Sequence, residues 1–127
     1  MKRLLTLTAL IEAATGLALI AAPSVVVQLL LGSPLGTSAA LTLGRVAGSA
    51  LLALGIACWL ARDDTQSRAT RGLVSAVALY NLATVAVLSF AGIGFGLHGV
   101  ALWPAVILHA MMSVWCIARL RRSSKTA

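Results

Sequence analysis

Glu12 lies in LTALIEAATGLAL, residues 7–19, with apolar side chains before and after it. Three more strongly polar side chains stand in comparable surroundings: Arg45 in LTLGRVAGSALL, Asn81 in VALYNLATV and His109 in AVILHAMM. A carboxyl and an imidazole offer acid–base chemistry, a guanidinium offers an ion-pair partner, and an amide offers hydrogen bonds in both directions. Tyr80, next to Asn81, adds a hydroxyl that could meet a ligand. A charge facing hydrocarbon costs roughly 2.5–3.5 kcal/mol near a bilayer centre. Glu12 and Arg45 are therefore expected to face protein, where Glu12 meets either Arg45 or a polar cavity. Arg45 has a stem long enough to snorkel outward instead. Two readings stand side by side: a structural Glu12–Arg45 pair, or a site for a polar ligand, a proton or a lipid headgroup.

These residues need elements that carry them at membrane depth. The 127-residue chain is 60% hydrophobic and 10% charged, with a mean hydropathy of +0.99, which suits neither a soluble domain nor a disordered one. The expected fold class is all-α: one compact integral membrane domain over 1–127, with four transmembrane helices at about 4–22, 39–61, 73–94 and 99–118. Each is close to the ~20 residues needed to cross a ~30 Å hydrocarbon layer. Pro23 argues against an unbroken first helix, so SVVVQLLLG either extends that span beyond a kink or lies at the interface. Counted from the charged ends at ~1.5 Å per residue, Glu12, Asn81 and His109 fall at similar depths on spans one, three and four, and Arg45 lies nearer the other boundary on span two. Small residues beside them, Gly16, Gly44 and Gly48, are candidate helix-packing positions.

Charge placement gives an orientation. Nine of the ten lysines and arginines lie in MKR, in the RDDTQSRATR connection or in the RLRRSSK tail. Four spans put these three segments on one side, and the positive-inside rule makes that side cytoplasmic, with both termini there. Trp59 and Trp115 then fall near the inner interface and Trp103 near the outer one. MKRLLTLTALIEAATGLALIAAP also starts like a signal peptide, but Glu12 interrupts its apolar run and the context at Ala21–Ala22 is a poor cleavage site, favouring an uncleaved span. The layout resembles the broad class of small bacterial four-helix membrane proteins, which implies an inner-membrane setting. That resemblance rests on hydropathy and carries no site residues.

Several chemistries fail on spacing. The +7 charge has no accompanying nucleic-acid motif, so no nucleic-acid partner is expected. His98 and His109, eleven residues apart, are separated by about 16 Å along a helix and do not clamp one heme between them. AGIGFGLHG lacks the GK[ST] of a phosphate loop. Asp63 and Asp64 lack further converging ligands, and Cys58 and Cys116 have no zinc-site spacing, so no metal or other cofactor is expected. No catalytic residue is assigned. The leading functional reading is a noncatalytic membrane protein acting as an assembly or modulatory subunit, with a contact surface including Gly44 and Gly48. Its partners would be lipids and a second copy or another integral membrane protein. The alternatives are binding or transport of a small polar or amphipathic ligand, and a membrane enzyme or electron-transfer subunit.

Overall fold

The computed structural model describes residues 1–64 and 67–123. They form five helices: α1 (Lys2–Ala21), α2 (Pro23–Leu31), α3 (Ser38–Ala61), α4 (Arg68–Gly94) and α5 (Leu102–Ser123). There is no strand among the described residues. All but the short α2 are long and apolar enough to cross a membrane. The helices extend past the apolar runs into charged flanks, since α1 begins at Lys2, α4 at Arg68, and α5 continues through Arg119–Arg122. Lys125, in the basic C-terminal run, lies outside the described residues.

Local signals account for most of the ends. Thr37 caps α3 by accepting from the Ala40 N–H at 3.1 Å, and Ser67 caps α4 by accepting from Thr70 at 3.1 Å. Pro23 opens α2 at a position where its missing N–H breaks no helical bond, so the chain turns at Ala22 and starts a new helix. Gly32 closes α2 at φ 76°, a left-handed conformation that L side chains adopt only with strain. Pro104 falls in the first turn of α5, where helical N–H groups have no partner anyway, and the span continues intact.

Two helix pairs build the molecule: α1 lies along α3, and α4 along α5. The first pair is in backbone contact. A Cβ added to Gly16 would stand 2.6 Å from the Gly48 carbonyl oxygen and 2.6 Å from the Leu52 nitrogen. One added to Gly55 would meet the Ala13 nitrogen at 2.8 Å and the Ala9 oxygen at 2.9 Å. Between helices in lipid, attraction comes from close van der Waals packing rather than water exclusion, and small residues permit it. Gly44, the third glycine of the set, faces Pro23 instead, with 2.9 Å to that ring from an added Cβ.

The half of the bundle near the termini is solid. Leu4, Leu5, Ala9, Cys58, Val74, Val77, Met112 and Cys116 pack there, and both cysteines are free and buried. Lys2 closes this end by pairing with Asp63 at 2.7 Å, and Arg62 lies 3.8 Å over the Trp59 ring. The hydrogen bond from Lys2 holds the Asp63 carboxyl below the usual Asp range, with Arg62 adding to the effect. A depressed carboxyl contributes stability above the ordinary Asp range and loses it as pH falls through the folded-state value. Acidification is therefore expected to lower the unfolding midpoint slightly more in the wild type than in Asp63→Asn. The pair is exposed, so concentrated salt should erase the difference in the same melting measurement.

The other half is hollow, and α2 covers it. The connection after α4 holds α2 down: the Ala101 N–H donates to the Leu29 carbonyl at 2.9 Å, and Gly99 sits directly against the Leu29–Leu30 backbone. Ser24 accepts from the Leu35 N–H at 3.2 Å and ties down the other flank. The outer surface of the long helices is greasy, with Leu43, Leu60, Leu79, Val87 and Val114 among its exposed side chains. Such a surface is compatible with lipid and unfavourable in water.

Candidate functional site

The hollow half contains a cavity of about 470 Å3 lined by all five helices. From α1 come Glu12, Thr15 and Leu19; from α4, Tyr80, Thr84 and Leu88; from α5, Ala105 and His109. The spacing on each helix is three or four residues, which brings side chains to one face. Gly44 and Leu51 of α3 form another wall, and Val26 and Leu30 of α2 form the roof. Position along the helices orders these residues. On α1, α4 and α5, the polar members Glu12, Tyr80 and His109 are at or next to the innermost lining position, just above the solid core. Glu12 is about 15 Å along α1 from its start. The floor is polar, and the walls and roof are almost entirely apolar.

The floor residues and Asn81 behind them have defined surroundings. Asn81, 1% exposed, faces away from the cavity, donating through Nδ2 to the Val77 carbonyl at 2.7 Å. That bond orients the amide, because a carbonyl can only accept. Asn81 Oδ1 is then left to meet His109 Nδ1, 2.7 Å away, so Nδ1 must carry the hydrogen and donate. In the neutral imidazole, Nε2 is therefore an acceptor. The Tyr80 ring meets the His109 ring edge-on, with centroids 5.7 Å apart. The Tyr80 hydroxyl interacts with the Glu12 carboxyl and with Thr84. Three helices thus bring these side chains into one cluster, in which Tyr80 meets Glu12 through its hydroxyl and His109 through its ring, and His109 bonds to Asn81. One turn below Glu12, Thr8 keeps a buried hydroxyl with no partner among the described residues.

Arg45 stands apart from this cluster. It is exposed, and its Nε donates to the Ile20 carbonyl at 3.3 Å. Breaking the helix at Ala22 strips the last carbonyls of α1 of their usual donors, and a cation is favourable at that helix end. Of the two alternatives for Glu12, Arg45 or a polar cavity, it is the cavity that the carboxyl lines. Glu12 is 4% exposed and makes no ion pair among the described residues. Asn81 and His109 are joined directly, and Tyr80 links them to Glu12. Gly16 and Gly48 lie in the α1–α3 contact, and Gly44 lies between Pro23 and the cavity.

Two contributions were not visible in the sequence. Thr84 lines the cavity together with Tyr80 and Leu88. The roof made by α2 had only the break at Pro23 as a signal. His98 is exposed beside Gln28 and Gly32 in a separate surface depression, away from His109. No group of three or more His, Cys, Asp or Glu side chains is arranged to hold a metal among the described residues. Comparison with known proteins finds no family model, no curated protein and no solved structure that matches this chain.

Proposed function

We propose that this chain is a multi-pass membrane protein that binds a small amphipathic molecule in the cavity beneath α2. The observation that carries this reading is the cavity's asymmetry: a floor of Glu12, Tyr80 and His109 beneath apolar walls and roof. Its volume of about 470 Å3 suits a small molecule, as such sites usually span about 300–1,000 Å3 and combine apolar linings with a few placed polar groups. Placement of the basic segments supports a cytoplasmic location for both termini, in a bacterial inner membrane. The floor would then lie near mid-bilayer and the roof toward the outer face. A phospholipid keeps its headgroup at the interface, so this polarity favours a shorter ligand that enters polar end first.

An assembly role draws less support, because Gly16 and Gly48 are already occupied by each other's helix and Gly44 by Pro23. Octan-1-ol, octylamine and octanoate, added to the protein in lipid nanodiscs, provide a direct test. At least one is expected to raise the unfolding midpoint, by an amount corresponding to about 2.7 kcal/mol at a hundred times its Kd. Ala105→Phe, which fills the cavity from α5, should remove that response while keeping a cooperative melt. Equal responses of the two proteins to all three compounds, or none from either, would refute ligand binding in this cavity.

A further inference from the structure

The hydrogen-bonding capacity of the floor narrows the ligand class. Glu12 is the sole glutamate of the chain and is nearly fully buried. The intramembrane cation nearest it in the sequence pattern, Arg45, is turned to the end of α1. Every other lysine or arginine lies in a flanking segment of the sequence, and none of the described ones lines the cavity. The carboxyl thus faces the cavity with no cation beside it among the described residues. His109 contributes an acceptor as well, because Asn81 engages its Nδ1 hydrogen and leaves the Nε2 lone pair. The hydroxyls of Tyr80 and Thr15 adapt to either role. α2 adds no ionisable side chain.

A carboxyl that an incoming cation can hold ionised and an imidazole lone pair, set at the bottom of an apolar chamber, complement a donor-rich positive group on an apolar body. They oppose an anion, which would bring further lone pairs to a site already rich in them. A quaternary ammonium would bring charge but no N–H for these acceptors. We infer that the ligand is a small lipophilic primary or secondary amine, its ammonium group paired with Glu12 and its hydrocarbon portion lying against Leu19, Leu51, Leu88 and Leu30. This assignment rests on the ligand-binding reading above and goes further by naming the chemistry of the head. Charge-assisted hydrogen bonds are roughly twice as strong as neutral ones and gain in a water-poor setting, so the ammonium should dominate selectivity.

Octylamine and octan-1-ol have the same chain and differ in the head, so they isolate this contribution. Glutamate labelled with 13C at the side-chain carboxyl gives one protein resonance, because Glu12 is the sole glutamate. In nanodiscs at neutral pH, octylamine is expected to shift that resonance and to bind about tenfold or more tightly than octan-1-ol. Empty nanodiscs correct for partition into lipid, and octanoate should not compete. In Glu12→Gln, the two affinities should converge to within about twofold, with octan-1-ol binding retained. The resonance measurement on the wild type stands even if that variant fails to fold. Octylamine and octan-1-ol binding equally, with the Glu12 resonance unmoved, would overturn the amine assignment and leave cavity binding intact. Binding of neither, with no response that Ala105→Phe removes, would overturn the binding reading itself.

Discussion

Gly16→Ala is expected to destabilise the protein by about 3 kcal/mol, the upper part of the usual range for overpacking. The added methyl would stand 2.6 Å from two backbone atoms of α3, the Gly48 oxygen and the Leu52 nitrogen. Neither can rotate away as a side chain would, so α1 and α3 must separate along their contact. Gly48→Ala should act similarly, since its Cβ would approach the Gly16 oxygen to 2.7 Å and the Leu19 Cβ to 2.9 Å. One separation relieves both clashes, and the double variant should therefore lose less than the sum of the singles. Gly72→Ala is the control. It lies in α4 with no atom within 4 Å of an added Cβ, and its higher helix propensity should stabilise by up to about 1 kcal/mol. Equilibrium unfolding in nanodiscs checks all four. Gly16→Ala within error of the wild type would mean that α1 and α3 are not in backbone contact. Because α1 and α3 form adjoining parts of the cavity wall, the two destabilised variants should also bind octylamine more weakly.

Asn81→Leu is expected to lose about 1–3 kcal/mol and to change the hydrogen placement on His109. Leucine nearly matches asparagine in size but removes the acceptor 2.7 Å from His109 Nδ1. The Val77 carbonyl keeps its α4 helical bond, so the main penalty is a partly buried imidazole N–H without a partner. Replacing both members, Asn81→Leu with His109→Leu, should recover part of the loss, because no stranded donor remains. Imidazole 15N shifts give a readout independent of stability. In a His98→Gln background, the wild-type centre should show His109 with hydrogen on Nδ1. Asn81→Leu should move the population toward hydrogen on Nε2. That change converts the acceptor facing the floor into a donor, so octylamine affinity should fall even under conditions where the variant is fully folded. An Nε2–H tautomer in the protein with Asn81 intact would contradict the His109–Asn81 hydrogen bond described above.

The four long helices and the level of their polar residues were legible because both are properties of single segments. Twenty or so apolar residues between charged flanks specify a span, and a rise of ~1.5 Å per residue ranks Glu12, Asn81 and His109 at similar depths before any neighbour is known. Pro23 marked a break in the same local way, and the ends that the structure places at Thr37, Ser67 and Gly32 likewise depend on backbone groups within a few residues. Rotation about each helix and the choice of neighbour were not local. Arg45 could reach Glu12 or the end of α1, and the free carbonyl of Ile20, created by the chain turning at Ala22, drew it to the latter. Gly48 was equally suited to an external partner or to α1, and backbone contact with Gly16 took it. Tyr80 and Asn81 are adjacent in sequence, yet about 100° of helical turn sends one to the cavity and the other toward α5. The cavity exists because α2 folds across four long helices that pack fully at only one end, and that depends on contacts between Gly99 and Leu30, nearly seventy residues apart.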